Sequence, residues 1–267
     1  MTWVSWIDHW TKYLAASGAR PGTIALRRYQ VERVSRSMPA GPERVTTDAL
    51  ATWLGSRGWD RSTLRSYRAA LRSFYRWAVE TGRLERSPAE ALPSPGVTPP
   101  SPRPTPEIVY REALARADER VRLMLRLGAE LGLRRAEVAA VHARDVELDL
   151  VGYSLRVRGK GGKTRVIPMP DDLAREVLRR AGGGYLFPGA DGGHLSPRWV
   201  GKLVSRIMPA GWTMHTLRHR AASRWYAVDH DIVTTQQLLG HSSLATTQAY
   251  VVAPDDARRR LVLAAAS

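Results

Sequence analysis

Apolar residues in the first 92 positions recur at intervals of three and four, the spacing of the buried face of an α-helix. The first such run ends before Gly18, a residue type that often stops a helix. It consists of Trp3, Trp6, Ile7, Trp10 and Leu14. Similar runs begin near Pro21 and occupy residues 46–57 and 60–82. The pattern therefore predicts that the first part of the chain folds as four helices.

The fourth of these predicted helices has two different faces. Its apolar positions are Leu64, Tyr67, Leu71, Phe74, Tyr75 and Ala78. Beside them, about a third of a turn round the helix, lies an arginine row made of Arg61, Arg65, Arg68, Arg72 and Arg76. A solvated helix face usually mixes acidic with basic residues, but the first acid here is Glu80. We predict that the arginine row contacts DNA; an ordinary solvated face is the alternative.

Prolines concentrated in residues 93–106 deny the chain helical hydrogen bonds and favour an extended connector. They predict a helical domain over 1–92, a linker over 93–106 and a second domain over 107–267. In the second domain, residues 107–132 have the pattern of two helices, and residues 134–146 continue as a third.

Residues 152–170 alternate apolar and polar positions on either side of a glycine-rich turn, which is typical of a β-hairpin. Helical patterns resume at 171–181 and dominate to the end of the chain. The predicted fold class is therefore mainly α with a small β-hairpin or sheet, an α+β fold.

The charge balance indicates a polyanionic partner. Lys and Arg number 41 against 25 Asp and Glu, a formal net charge of +16, and nucleic acid is the commonest partner for such an excess. The chain has no cysteine, which excludes disulfides, thiolate chemistry and cysteine-ligated zinc. It has no apolar run that reads as a signal peptide or a membrane span, so we expect no membrane partner and a cytoplasmic location.

Two clusters in the middle of the chain could bind an anion. Arg134 and Glu137 are three residues apart, so Glu137 could orient the guanidinium one helical turn away. Lys160 lies at the predicted hairpin turn, where glycines on both sides allow a close approach to a ligand. The alternatives are a surface salt bridge and a solvated lysine.

Two further clusters lie towards the C-terminus. His215 and Arg218 are three residues apart, so they face the same way on a helix and could hold a phosphate and move a proton. His241 stands nine residues before Tyr250. Leucines at 238, 239 and 244 can supply the packing there, which leaves the histidine and the tyrosine available for a site.

These clusters, taken in order, resemble the tyrosine recombinase (phage integrase) family. The matching segments read GLRRAE, RGKGGK, HTLRH, LLGHSS and TTQAY. The resemblance implies the catalytic set Arg134, Lys160, His215, Arg218, His241 and Tyr250, with Glu137 in support. It also implies an N-terminal helical core-binding (SAM-like) domain and a C-terminal catalytic domain. Since Trp3 already begins the first predicted helix, we expect a compact, Xer-like integrase without an arm-binding domain.

The resemblance further implies a mechanism without metal or other cofactor. Tyr250 would attack a DNA phosphate and form a 3′-phosphotyrosine, with His215 as the base and Lys160 as the acid. Arg134 and Arg218 would bind the non-bridging oxygens, and loss of either should nearly abolish turnover without unfolding the protein. The implied partners are double-stranded DNA with core-type crossover sites and a homotetramer on synapsed DNA; an accessory directionality factor stays open.

Three positions depart from the family pattern. Thr216 stands where an aspartate is expected, Arg220 where a threonine is expected, and Val252 where a histidine is frequent. Since none of the three is a catalytic position, they bear on local packing and helix capping.

Three other functions stay open at this point. A DNA-binding regulator with the same fold would have the same charge but no need of the catalytic set. A type IB topoisomerase would use the same chemistry to relax supercoils. Within the recombinases, the natural task could be integration of phage or mobile-element DNA, or Xer-like resolution of dimers.

Overall fold

The computed structural model describes residues 2–38, 40–96, 102–159, 162 and 164–240. The chain divides into two compact units, Met1–Thr98 and Pro99–Ser267. The boundary between them falls within the proline-rich residues 93–106.

The described part of the first unit contains four α-helices joined by short connections. They are α1 (Trp3–Ala16), α2 (Pro21–Ser35), α3 (Thr47–Gly55) and α4 (Arg61–Glu80). Side chains of Thr2, Thr46 and Asp60 accept hydrogen bonds from backbone N–H groups in the first turns of α1, α3 and α4. Such caps satisfy donors that a helix cannot pair internally. The predicted all-helical first part is confirmed.

The core of the first unit is aromatic and centres on Phe74 of α4, which is fully buried. The Phe74 ring contacts the rings of Trp3, Trp6 and Trp10 from α1, with centroids 5.7, 6.2 and 5.3 Å away. Large aromatic residues contribute much of the apolar area that a domain of this size can bury. The predicted apolar face of α4 is buried except at Leu64, which is half-buried.

The described part of the second unit has seven helices and one small sheet. The helices are α5 (Glu107–Arg116), α6 (Glu119–Ala129), α7 (Arg135–Ala139), α8 (Asp171–Ala181), α9 (Pro197–Ile207), α10 (Met214–Asp229) and α11 (Ile232–Leu239). Helices α6 and α10 pack closely, and a Cβ on Gly128 would lie 2.8 Å from Met214 Cε. A larger residue at 128 would therefore require the Met214 side chain to move.

The sheet consists of β1 (Val146–Leu148), β2 (Tyr153–Arg158) and β3 (Thr164–Pro168), in the order β1-β2-β3 with both pairs antiparallel. The predicted hairpin is β2 and β3, with Arg158 opposite Thr164 at its turn end. The sequence did not predict β1, because three residues are too few for an alternating pattern to be recognised.

The predicted helix over 134–146 is wrong beyond Ala139, where α7 ends. The following backbone pairs with a distant segment instead: Ala143 N–H donates to Gly184 O, and Leu186 N–H donates to Val141 O. These long-range bonds replace those that a longer helix would have made. Residues 182–196 are likewise not helical, so the prediction that helices dominate to the end is too broad.

In the described part of the chain, no helix is both long enough and apolar enough to cross a membrane.

Candidate active site

Arg134 is the residue before the first turn of α7, and Glu137 lies in that turn. The Arg134 backbone N–H donates to Glu137 Oε2 at 2.8 Å, and its side-chain NH1 donates to Glu137 Oε1 at 3.0 Å. The carboxylate therefore caps the helix and fixes the guanidinium at the same time. The predicted pairing of these two residues is present.

Glu137 remains ionised despite its burial. Burial alone would raise its pKa, but hydrogen bonds and charge from Arg165, the Arg134 backbone and the charge of Arg218 outweigh it and hold the pKa below its ordinary value. The Glu137 side chain is only 5% exposed. The lowered pKa favours a negative charge next to Arg134 and Arg218.

His215 and Arg218 lie one turn apart at the start of α10, as the sequence predicts. Arg218 is 1% exposed and donates to the carbonyl oxygens of Gly132 and Leu239. Arg134 NH1 reaches the same Leu239 oxygen at 3.5 Å. Arg218 NH1 also lies 3.8 Å from Glu137 Oε2. The two arginines are thus held by one carboxylate and one carbonyl, although 84 positions separate them in the sequence.

Gly132 has φ +61°, and a Cβ at this position would lie 2.8 Å from Trp225 Cη2. Both facts favour glycine in the turn whose carbonyl receives Arg218.

The surroundings of the His215 imidazole disfavour its charged form. Partial removal of water, together with the charges of Arg218 and Arg134, lowers its pKa below the ordinary value. A neutral imidazole can accept a proton, which is what a general base requires.

Arg134, His215 and Arg218 line one cavity of about 670 Å³, which we call the cationic cavity. Its other charged lining residues are Arg135, Arg198 and Lys202, and none of the described lining residues is acidic. Arg198, Lys202 and Ser205 come from one exposed face of α9. A concave surface with five cations and no acid among its described lining residues suits a phosphate diester.

Sequence reasoning missed Arg135, Arg198 and Lys202. The signal was present in α9, where Val200 and Val204 are buried and the cations at 198 and 202 are one turn apart on the opposite side. It also missed Arg165 of β3, whose guanidinium binds both oxygens of Glu137.

Two of the departures from the family pattern are accommodated locally. Thr216 Oγ1 accepts from Thr213 N at 2.9 Å, which caps α10, and it also pairs with Thr105 Oγ1. Arg220 donates to Glu107 Oε2 at 2.6 Å and lies 4.1 Å from the centre of the Tyr110 ring. Both substituted side chains are buried and hydrogen-bonded, so packing and capping at these positions are intact.

Lys160, His241, Tyr250 and Val252 lie outside the described residues. In the sequence, Lys160 falls between the described strands β2 and β3, and α11 ends at Leu239, two positions before His241.

In the first unit, three members of the arginine row line a cavity, and two of these three also contact the segment that follows α4. Arg68, Arg72 and Arg76 line a separate cavity of about 540 Å³, together with Arg27 of α2. Arg68 Nε also donates to Leu92 O at 2.9 Å, and Arg72 lies 3.9 Å from Glu90. The row is therefore partly engaged with the segment that follows α4, which the sequence pattern did not predict.

Comparison with known proteins finds two family models along the chain. The model "Phage integrase family" matches residues 107–256, and "Phage integrase, N-terminal SAM-like domain" matches residues 7–82. Together they account for the α+β fold as a SAM-like helical domain followed by an integrase domain.

Two relatives are bacterial proteins called tyrosine recombinase XerC. The protein from Xanthomonas campestris pv. campestris is 34% identical over 214 residues, covering 73% of this chain and 65% of the relative. The protein from Chromobacterium violaceum is 32% identical over 267 residues, covering 91% of this chain and 88% of the relative. The chain thus spans just under two thirds of the length of the first of these curated relatives.

Among solved structures, a lambda integrase tetramer bound to a Holliday junction has a similar fold. The TM-score is 0.77 at 20% identity, covering 94% of this chain and 78% of that one. At this level of identity the similarity establishes the fold alone.

Proposed function

This chain belongs to the phage integrase family, and from that premise we propose that it is a tyrosine-type site-specific DNA recombinase. In this proposal residues 1–92 bind DNA at the core site, 93–106 form the linker and 107–267 form the catalytic domain. The partner is double-stranded DNA with core-type crossover sites.

The observation that supports the proposal best is the cationic cavity. Arg134, Arg218 and His215 come from segments that are distant in sequence, yet they line one cavity whose described lining residues include no acid. A DNA phosphate bound in this cavity would face the guanidinium groups of both arginines and the His215 imidazole.

Strand cleavage passes through a transition state in which negative charge grows on the non-bridging oxygens of the phosphate. Arg134 and Arg218 bind these oxygens, and His241 donates a further hydrogen bond. Donors fixed before the reaction stabilise such charge by about 3–4 kcal/mol each. Glu137 contributes by fixing Arg134 and lying beside Arg218 before DNA binds.

Tyr250 is the nucleophile. His215 takes the phenol proton, the tyrosine oxygen bonds to phosphorus, and the bond from phosphorus to the 5′ oxygen breaks. Lys160 protonates the departing 5′ oxygen. The products are a 3′-phosphotyrosine and a free 5′-hydroxyl, and since the number of phosphate ester bonds is unchanged, the reverse step needs no nucleotide cofactor.

Recombination requires four such sites on two duplexes. We assign the homotetramer to this chain on the precedent of the lambda integrase tetramer that was solved on a Holliday junction.

Strand exchange distinguishes this function from its alternatives. The DNA site is first selected by the protein from a random-sequence duplex pool, and two labelled duplexes with that site are then mixed with the protein. We expect recombinant products. Relaxation of supercoiled DNA without recombinants would indicate a topoisomerase, and binding without cleavage would indicate a regulator. Exchange between two unlike selected sites would indicate integration, and exchange only between identical sites would indicate dimer resolution.

The arginine row supports DNA binding by the first unit. Of its members, Arg76 is exposed and lines the cavity of that unit. We expect Arg76→Gln to weaken DNA binding to all sequences alike and to reduce the slope of log K against log salt by about one. Fluorescence anisotropy over a range of salt concentrations measures this slope.

Arg44→Gln is the matched control, because Arg44 is exposed on the same unit but lies outside α4. An unchanged salt slope in Arg76→Gln would show that the arginine row is a solvated face.

A further inference from the structure

Arg165 is an arginine whose side chain is largely, but not fully, removed from solvent. It is the second residue of β3, five positions after Lys160 in the sequence, and its side chain is 10% exposed. Its NH1 donates to Glu137 Oε1 at 2.9 Å and its NH2 to Glu137 Oε2 at 2.8 Å. Two parallel hydrogen bonds of this kind are the strongest and most directional contact between arginine and a carboxylate.

Glu137 is consequently shared by three arginines. Glu137 Oε1 accepts hydrogen bonds from the side chains of Arg165 and Arg134. Glu137 Oε2 accepts one from the Arg165 side chain and one from the Arg134 backbone N–H. Arg218 lies 3.8 Å from Oε2. One negative charge therefore sits among three positive charges, of which Arg134 and Arg218 line the cationic cavity. Arg165 binds the same carboxylate but is not among the described lining residues.

The consequence is electrostatic. A buried carboxylate attracts whichever guanidinium can reach it, and the attraction is strong where water is excluded. Arg165 donates to both Glu137 oxygens, whereas the Arg134 side chain donates to one of them. Without Arg165, the carboxylate would draw Arg134 and Arg218 towards itself and away from the cavity.

Arg165 also holds the end of α11. Its Nε donates to Leu238 O at 2.8 Å. Gly240 caps this helix with φ +64°, and a Cβ there would lie 3.0 Å from Arg165 Cδ. The same side chain thus joins β3, the Glu137 carboxylate and the end of the helix that receives Arg134 and Arg218 at Leu239.

We infer that Arg165 is a positioning residue: by satisfying Glu137, it keeps Arg134 and Arg218 directed at the scissile phosphate. This inference rests on the proposed recombinase function. Arg165 does not touch the DNA; it acts through Glu137 and the end of α11.

The test compares two substrates in single-turnover cleavage. Both are nicked duplexes with the selected site; one has the natural phosphate and the other a methylphosphonate at the scissile position. The methylphosphonate lacks the charge of one non-bridging oxygen, so its cleavage depends less on the two arginines. We expect Arg165→Gln to slow cleavage of the phosphate roughly 10- to 100-fold and cleavage of the methylphosphonate much less. A loss of structure alone would lower both rates by the same factor.

Arg156→Gln is the matched control, because Arg156 lies on the neighbouring strand β2, is half exposed and pairs with Glu147. We expect it to cleave both substrates at wild-type rates. Arg165→Lys provides a second variant if Arg165→Gln does not fold. Lysine keeps the charge but cannot form the two parallel bonds. We therefore expect Arg165→Lys to lower the ratio of phosphate to methylphosphonate cleavage rates as Arg165→Gln does, but by a smaller factor.

The outcomes separate the inference from the proposed function. If wild type and Arg156→Gln cleave but the Arg165 variants keep the wild-type ratio of the two rates, Arg165 has no positioning role and the recombinase function stands. If wild-type protein does not cleave its selected site at all, the proposed function itself is wrong.

Discussion

Replacing Arg134 by alanine is expected to slow strand cleavage by about 10²- to 10³-fold, the cost of one donor to a charged transition state. The Arg134 side chain is 38% exposed and faces the cationic cavity. The backbone bond from residue 134 to Glu137 does not depend on the side chain, and Arg165 continues to satisfy the carboxylate. The melting temperature should therefore change little, and DNA affinity should fall far less than the cleavage rate.

Single-turnover cleavage of a nicked duplex with the selected site measures the effect, and thermal unfolding measures stability. Arg179→Ala is the control, since Arg179 is exposed on α8 in the same unit. A cleavage rate within a few-fold of wild type in Arg134→Ala would remove this arginine from the mechanism.

Replacing Arg218 by alanine is expected to slow strand cleavage at least as much as replacing Arg134 does. It is also expected to destabilise the second unit. The side chain is 1% exposed and donates to the carbonyl oxygens of Gly132 and Leu239. Its loss leaves two buried carbonyl oxygens without this donor and removes one of the positive charges beside the Glu137 carboxylate. Together these losses should lower the free energy of unfolding by about 3 kcal/mol. From the sequence, we expect that either arginine can be lost without unfolding the protein. The contacts of Arg218 change this expectation, because its loss should lower the stability of the second unit.

Arg218→Lys separates the two effects. Lysine restores a buried positive charge near Glu137, so it should recover part of the stability, but it cannot reproduce the planar donor geometry needed for two carbonyls and a phosphate. We expect the denaturant midpoint of Arg218→Lys to lie closer to wild type than that of Arg218→Ala, while its cleavage rate stays low. Cleavage at the wild-type rate in Arg218→Lys would show that only the charge at this position matters.

The sequence was sufficient where the relevant contacts are local. The three-residue spacings of Arg134 with Glu137 and of His215 with Arg218 each describe one turn of backbone, and the structure has both pairs in that relation. The apolar face of α4 and the β-hairpin were predicted for the same reason. In each case a short period in the sequence fixes which side chains share a face.

The sequence was insufficient where a contact joins distant segments. Arg165 is 28 positions from Glu137, and Arg134 is 105 positions from Leu239. Spacing cannot predict such pairs, because only the packing of β3, α7 and α11 brings them together. The same limit explains why α7 ends early: the backbone after Ala139 pairs with residues 184–186, which no local pattern indicates.

The most direct test of the recombinase mechanism is a covalent trap at Tyr250. A nicked duplex with the selected site is incubated with the protein, the mixture is denatured, and protein attached to DNA is measured, with Tyr250→Phe as the control. Phenylalanine removes only the hydroxyl, so it should bind the same DNA. The account predicts an adduct at the 3′ phosphate with wild-type protein and none with Tyr250→Phe. An equal adduct with Tyr250→Phe, or binding of the selected site without any adduct in wild type, would contradict it.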